Sequence, residues 1–436
     1  MSALAELFAR RGIAVTGSDM STAGNADLEA LGITVHRIHS AGFVTGAQAV
    51  VASSAIPAQH VELVAAAELG LPIIRRAEAL GAAVAGMQIV GIAGTHGKTT
   101  TTVMTTEALA GTTASPTGIV GGRVQRWGGN LRWGGGNTVV VEADEYDRSF
   151  LALHPTVAVV TNVEADHLDV YADLDDIIRT FEAYLADAKG VVICADDVGA
   201  DSLRLPDSAE VIRYGINHTT AARLVGIATA EGVQVIFDGA PLGELRLKVP
   251  GDHNRRNALA ALGAGLLLGY AFDHLRTGLE AFSGVERRFE RKGEQRNVLV
   301  IDDYAHHPTE VRATLDAARA AFPGRRIVAL FQPHLYSRTR DFAADFGDAL
   351  AQGADVIALT EIYKAREQPI DGVTSQLIAA AATRSGKIVD WIGARADATA
   401  TVLKLVRPGD VVITMGAGDI TQVGPELLAA LAGAPS

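Results

Sequence analysis

QIVGIAGTHGKTTTT, residues 88–102, is the stretch from which the rest of the chain can be read. Residues 89–93 form a short apolar run; Gly94, Thr95, His96, Gly97, Lys98, Thr99 and Thr100 follow and lead into a threonine- and alanine-rich segment of helical type. Strand, glycine loop, helix is an order that lets several backbone N–H groups face one anion, and the helix adds the partial positive charge of its N-terminus. Lys98 is expected to reach the terminal phosphates of a nucleotide and the Thr99 hydroxyl to ligate magnesium. The strict GxxxxGKS/T pattern asks for glycine at position 92 and meets Ile92, with Gly91 one step early, so the loop is a variant. A lysine exposed on such a loop has no core role, and Lys98→Ala is expected to leave folding largely intact.

A chain of 436 residues is too long for one hydrophobic core and predicts about two to four domains. Its formal net charge of −12, without a long basic block, argues against a polynucleotide partner but leaves room for a local basic pocket that takes a small phosphate ligand. The single cysteine, Cys194, lies in an apolar run and reads as a reduced core residue, which excludes an intrachain disulfide and a thiolate metal cage. The longest apolar candidate for a membrane span, residues 258–272, is short and broken by Gly263, Gly265 and Gly269, so it reads as a buried helix. Glu6 interrupts the first apolar segment and arginines follow it, unlike a signal peptide. The expected compartment is the cytoplasm.

Three α/β domains are expected, at residues 1–85, 86–288 and 289–436. The first opens on a helix over residues 1–11, stopped by Gly12, then a strand at 13–16 whose end carries Gly17, Ser18 and Asp19. Asp19 is either an acceptor for a sugar or base, as after the second strand of a nucleotide-binding unit, or part of a solvated turn. Helices at 26–31 and 61–70 and strands at 34–37, 49–52 and 72–74 complete it. A domain of this kind should begin with a strand and a glycine loop; a start inside the helix implies either a departure from the doubly wound pattern or the lack of about 20 residues.

In the second domain, a strand over 138–141 ends in Glu142-Ala143-Asp144-Glu145, and one over 157–161 ends in Asn162-Val163-Glu164-Ala165-Asp166-His167. Such residues at the C-terminal ends of parallel strands stand on the rim where ligands bind. Glu142 and His167 suit a metal near Lys98, oxygen donors favouring magnesium and the histidine a second, softer or water-bridged site. His253, Asn254 and Asn257 begin the apolar helix; the asparagines are either caps or hydrogen-bonding groups for a purine edge or a second domain. Arg287 and Arg288 sit at the domain boundary, where a guanidinium could reach phosphate. Strands at 298–302, 327–331, 356–360, 388–391 and 411–415 make the third domain a second doubly wound sheet, with histidines and arginines at its strand ends.

GTHGKTTTT (94–102), VEADE (141–145), NVEADHLD (162–169), GDHNRRNALAA (251–261), ERRFE (286–290), DDYAHHPTE (302–310) and QPHLYSRTRD (332–341), in this order, closely resemble the Mur ligases of peptidoglycan synthesis over nearly the whole chain. The resemblance implies a Rossmann-like N-terminal domain for a UDP-sugar, a central P-loop ATPase-like parallel sheet, and a Rossmann-like C-terminal domain that closes to complete the site. It also implies the chemistry: a substrate carboxylate is phosphorylated by ATP, an amino acid attacks the acyl phosphate, and phosphate leaves. Carried over by position, Lys98 matches the phosphate-binding lysine, Thr99 and Glu142 the magnesium ligands, and His167 the residue at a second metal. His253, Asn254 and Asn257 match the adenine-side motif, and Arg288 joins the nucleotide site. Tyr304, His306 and Arg338 match positions near the incoming amino acid and the reacting phosphate. Ser18, Asp19, His39 and Ser53 match the UDP-sugar domain. The implied partners are the small molecules UDP-N-acetylmuramate, L-alanine and ATP with Mg2+, or Mn2+ in its place, and neither nucleic acid nor membrane; the chain is expected as a monomer or weak homodimer.

Two positions depart from the family at large. Later ligases of the pathway carry a metal-bridging carbamylated lysine after DHLD, where Phe181 stands here, as in the alanine-adding branch. The family's glycine-rich loop for the UDP pyrophosphate ends near Gly-Met-Ser, whereas this chain begins at Met1-Ser2. The alternatives are a recycling ligase that attaches a whole peptide, which EIYKAREQPIDG (361–372) disfavours, a folylpolyglutamate synthase, in which HHP has no role, and a nucleotide-binding module without ligase activity.

Overall fold

The computed structural model describes residues 1–20, 25–216 and 222–433, in two compact units. The first comprises Met1–Lys248 with Arg255–Phe282, the second Val249–Asn254 with Ser283–Ser436.

The first unit opens on the expected helix, Ser2–Arg10, which buries Leu4 and Leu7. Its end uses more chain than anticipated: Gly12 N bonds Ala9 O, Ile13 N bonds Phe8 O, and Gly12 takes φ 79°. This closure consumes the Ile13 amide, so the strand expected at 13–16 forms instead at Thr16–Ser18. That strand pairs in parallel with Thr34–His36, and Val50–Ala52 pairs separately with Ile73–Arg75. Helix Arg76–Val84, which sequence reading missed, follows, its first turn held by Glu78 accepting from Arg75 N at 3.2 Å.

Beyond it lies a ten-stranded sheet in the order Ala240–Arg246, Gly232–Phe237, Leu224–Ala228, Glu210–Ile216, Gly190–Cys194, Val157–Val160, Gln88–Ala93, Thr138–Glu142, Thr117–Val124, Gly129–Arg132. From Leu224–Ala228 to Thr117–Val124 every pairing is parallel, and antiparallel strands extend both margins. The central strands are buried on both faces, which explains their unbroken apolar runs. Cys194 is a free, buried thiol pushed up to about 11, chiefly by burial. The strand Gln88–Ala93 lies between Val157–Val160 and Thr138–Glu142, so the three segments that leave their C-terminal ends are neighbours. Gly91 belongs to this strand: a Cβ there would lie 2.0 Å from the Tyr184 hydroxyl, so packing rather than phosphate binding requires the glycine.

Helix Lys98–Ala110 buries a threonine-rich surface on which three hydroxyls bond back within the helix, Thr102 donating to Lys98 O at 2.8 Å, Thr105 to Thr101 O and Thr106 to Thr102 O, each at 2.7 Å. Helix Asp252–Leu267 is the buried helix expected, and no helix among the described residues is long and apolar enough to cross a membrane.

The second unit carries a six-stranded sheet, ordered Glu290–Gln295, Val298–Asp303, Val411–Met415, Ile327–Phe331, Val356–Thr360, Trp391–Gly393, parallel except for its first member. Apolar clusters cover both faces. The strand expected at 388–391 begins only at Trp391; Lys387 N closes the preceding helix onto Ala382 O, and Ile388 remains 76% exposed in the connection.

Candidate active site

Residues 94–97 turn through two left-handed glycines, Gly94 at φ 134° and Gly97 at φ 80°. Neither tolerates a side chain: a Cβ on Gly94 would lie 2.0 Å from Thr161 Oγ1, and one on Gly97 would lie 2.7 Å from Asn257 Oδ1. Asn257, 6% exposed, is thereby placed over the start of the loop's helix. The loop is braced from the end of Val157–Val160. Thr161 Oγ1 and Asn162 Nδ2 donate to His96 O at 2.6 and 3.1 Å, His96 N donates to Asn162 Oδ1 at 2.7 Å, and Glu164 N donates to Thr95 Oγ1 at 2.9 Å. His96 Nε2 lies 3.2 Å from Glu164. Asn162 was not singled out from sequence as a site residue, although its place at a strand end beside the loop is the signal that marks it.

Lys98 is not exposed. Its Nζ donates to Gly94 O at 2.7 Å, Thr95 O at 3.1 Å and Glu145 Oε1 at 2.9 Å, with Glu145 Oε2 at 2.7 Å. Burial alone would lower the Lys98 pKa and raise that of Glu145, but opposite charge at contact distance prevails: Lys98 is held above its ordinary value and Glu145 below, aided by His167. The pair is therefore ionised and buried: Lys98 is not the exposed loop lysine that the sequence suggested, and its removal would leave Glu145, 3% exposed, with His167 Nε2 at 3.5 Å as its remaining partner.

Thr99 Oγ1 donates to Glu142 Oε1 at 2.8 Å, and Gly121 N donates to Glu142 Oε2 at 2.6 Å. His167, at the left-handed φ of 53°, brings Nε2 to 3.5 Å from Glu145 Oε1 and 3.8 Å from Asp166 Oδ2, its ring edge against Tyr146. The first unit thus gathers the loop, Lys98, Thr99, Thr100, Glu142, Glu145 and His167 at three adjacent strand ends. Phe181 is fully buried in edge contact with Phe150, so the position carries packing.

Ser18 and His39 come together on a smaller scaffold. Ser18 donates to Glu62 Oε2 at 2.7 Å, so His39 Nδ1, at 3.1 Å, donates to Ser18; Ser40 N also donates to Glu62. Asp19 extends the strand pairing through its N–H to His36 O. Ser53 accepts from Ala55 N in its own turn. Glu62, the carboxylate that organises this group, was not anticipated.

In the second unit, Asn254 donates to Pro250 O at 2.6 Å, the local role of an asparagine at a helix start, and His253 packs beneath Gly251. Two guanidiniums approach the Tyr304 ring, Arg287 at 4.8 Å and Arg288 at 5.1 Å from its centroid. Arg287 donates to Gly416 O and Gly418 O, and Arg288 lies 3.6 Å from Glu310. His306 Nδ1 is 3.0 Å from Tyr304 O; a carbonyl only accepts, so Nδ1 carries the proton and Nε2 offers the lone pair when the ring is neutral. Arg338, 6% exposed, stands in the first turn of Tyr336–Gly353, which starts from Leu335 at φ 70°. Asp303, missed from sequence, accepts from Phe289 N and Ala305 N, both at 2.8 Å, and burial pushes its carboxyl up to about 6.

Three family models match this chain: "Mur ligase family, catalytic domain" over residues 1–87, "Mur ligase middle domain" over 92–265 and "Mur ligase, glutamate ligase domain" over 287–418. The UDP-N-acetylmuramate--L-alanine ligase of Salinibacter ruber is 44% identical over 430 residues, covering 96% of this chain and 90% of that protein. The protein of the same name from Arthrobacter sp. (strain FB24) is 47% identical over 439 residues, covering 99% and 92%. Among solved structures, UDP-N-acetylmuramate-alanine ligase MurC from Thermotoga maritima matches with a TM-score of 0.82 at 30% identity, covering 99% of this chain and 96% of that one. A murein peptide ligase from Psychrobacter arcticus shares the fold, with a TM-score of 0.72 at 23% identity, covering 100% and 97%.

Proposed function

The chain belongs to the Mur ligase family, and from that premise we propose that it is the ATP-dependent enzyme that joins L-alanine to UDP-N-acetylmuramate in peptidoglycan precursor synthesis. The reaction proceeds through an acyl phosphate and releases ADP and phosphate. The observation that carries the reading is the meeting of Lys98, Thr99 and Glu142 at the mouth of a two-glycine loop.

The residues present fit ATP and a hard divalent cation. Thr95 N and His96 N are taken by Asn162, at 3.1 and 2.7 Å, so the backbone N–H groups offered to phosphate oxygens are those at the start of helix Lys98–Ala110, which adds its N-terminal dipole. When bound, ATP supplies the phosphoryl group that activates the sugar carboxylate. Lys98 then neutralises charge on the terminal phosphate oxygens, which is most of what catalysis of phosphoryl transfer requires. The Thr99 hydroxyl and Glu142 carboxylate are oxygen donors of the kind Mg2+ prefers, with Mn2+ an acceptable substitute; His167 would attend a second ion or a water between. Asn257, His253, Asn254 and Arg288 are assigned to the nucleotide by motif.

Toward the amino acid we assign Tyr304, His306 and Arg338. Nε2 of neutral His306 is a lone pair suited to take the proton that an ammonium must lose before it attacks an acyl phosphate. Arg338 is a fixed cation for the leaving phosphate or the amino acid carboxylate. Ser18, Asp19, His39 and Ser53 are assigned to the UDP-sugar. The substrates are small molecules; the acidic charge supports the reading that no nucleic acid takes part, and a cytoplasmic monomer or weak homodimer accords with ATP use. Phosphate release from ATP, measured with UDP-N-acetylmuramate and with or without L-alanine, tests the reading. Release that depends on both is expected; release with the sugar nucleotide and a peptide but not with alanine would overturn it.

A further inference from the structure

The ammonium of Lys98 is enclosed by four oxygens, Gly94 O, Thr95 O and both carboxylate oxygens of Glu145, all within 3.1 Å. The three N–H bonds go to Gly94 O, Thr95 O and Glu145 Oε1, so none is left over for a phosphate. Two of those acceptors are carbonyls of the loop itself: the side chain is curled back over the turn it is expected to serve. Glu145 is rigidly presented to it. Its carbonyl accepts from the Tyr171 hydroxyl at 2.5 Å and from Arg148 N at 2.9 Å, and two left-handed residues, Asp147 at φ 56° and Arg148 at φ 53°, follow after Tyr146. Strained backbone of this kind persists only where surrounding contacts fix it. On its other side the same carboxylate meets His167 Nε2 at 3.5 Å, so it retains a partner when the lysine leaves.

We propose that Glu145 is a positioning residue that stows Lys98 in the nucleotide-free enzyme, and that a nucleoside triphosphate binds by exchanging its terminal phosphate for the Glu145 carboxylate on the Lys98 ammonium. The inference rests on the reading of residues 94–99 as the phosphate loop. It adds a cost and a selectivity to that loop. Binding must release Lys98, and the apparent affinity is reduced by the fraction of molecules in which it is stowed. A ligand without a terminal phosphate offers less to take the place of Glu145, so the stowed state favours triphosphate over diphosphate and assists departure of ADP.

The test compares wild type, Glu145→Gln and Glu145→Asp by titration calorimetry with the non-hydrolysable analogue adenylyl imidodiphosphate and Mg2+. A second readout is the rate at which an amine-selective reagent modifies Lys98 in the free proteins, located by peptide mass spectrometry. Glutamine keeps the shape and removes the charge. We expect Glu145→Gln to bind the analogue roughly three- to tenfold more tightly and to expose Lys98 to faster modification, with Glu145→Asp returning both toward wild type. Unchanged or weaker binding by a folded Glu145→Gln, with Lys98 modified no faster, would overturn the proposal. Failure of wild type itself to bind the analogue would instead bring down the phosphate-loop reading.

Discussion

Two hydroxyl–carboxylate hydrogen bonds of nearly equal length occupy very different surroundings. Thr99 donates to Glu142 at 2.8 Å, and Ser18 donates to Glu62 at 2.7 Å. Glu142 ends a strand whose other four residues are buried inside a ten-stranded sheet, and Thr99 is held in the first turn of a 13-residue helix. Ser18 ends a three-residue strand, mostly exposed, that among the described residues pairs with one neighbour. The same contact is therefore a fixed part of the frame in one place and a local arrangement in the other. Where the frame holds the atoms, a substitution should change chemistry and leave geometry alone; where it does not, the side chains hold the geometry and substitution should act on affinity.

The largest effect is expected at Lys98. Lys98→Ala should reduce turnover by about 100- to 1,000-fold, as loss of one transition-state donor does. Because Glu145 then remains buried with only His167, at 3.5 Å, in place of its lysine, the substitution should also lower folding stability by about 3 kcal/mol, read from denaturant unfolding. Full stability in a folded Lys98→Ala protein would remove the contrast between frame and surface. Glu142→Gln comes next: the Mg2+ concentration for half-maximal turnover should rise by more than about tenfold, with the unfolding midpoint nearly unchanged.

Asp303 supplies a pH test within the second unit. Its folded-state carboxyl lies at about 6, raised by burial above the unfolded value, so the native state holds the proton more tightly than the unfolded state. Its contribution is thus most favourable below the unfolded pKa, and stability is lost as pH rises through that value to about 6. Unfolding free energy of wild type relative to Asp303→Asn should fall by on the order of 2 kcal/mol between pH 4 and 7. The smallest effect is expected at Ser18. Ser18→Ala should raise KM for the UDP-sugar about fivefold, roughly 1 kcal/mol, and leave kcat close to wild type. A fall in kcat as large as that of Lys98→Ala would mean that the two hydrogen bonds are not so different after all.

Much of this architecture was legible because its information is local. The loop at 94–99 is contiguous, and buried parallel strands such as Val157–Val160 and Ile327–Phe331 announce themselves as apolar runs. What escaped was set by distant partners or by competition for a single amide. Glu145 is 47 residues from Lys98, and nothing at either position says that the lysine is turned inward. Ile13 and Lys387 have amides committed to closing helices, which displaced the strands expected beside them. The antiparallel strands Gly232–Phe237 and Ala240–Arg246 alternate in burial only weakly, so their sequence does not separate them from loop. Asp303 reads as one of two aspartates ending a strand, and only its two backbone donors distinguish it.

The central claim is that Lys98 and its loop serve transfer of a phosphoryl group to a carboxylate. The most direct measurement follows oxygen. UDP-N-acetylmuramate labelled with oxygen-18 in its carboxylate is turned over with ATP and L-alanine, and the inorganic phosphate is analysed by mass spectrometry. An acyl phosphate requires one labelled oxygen to leave with the phosphate while the other remains in the new amide. Labelled phosphate formed in step with the amide is the predicted result. Amide formation with unlabelled phosphate would contradict the account.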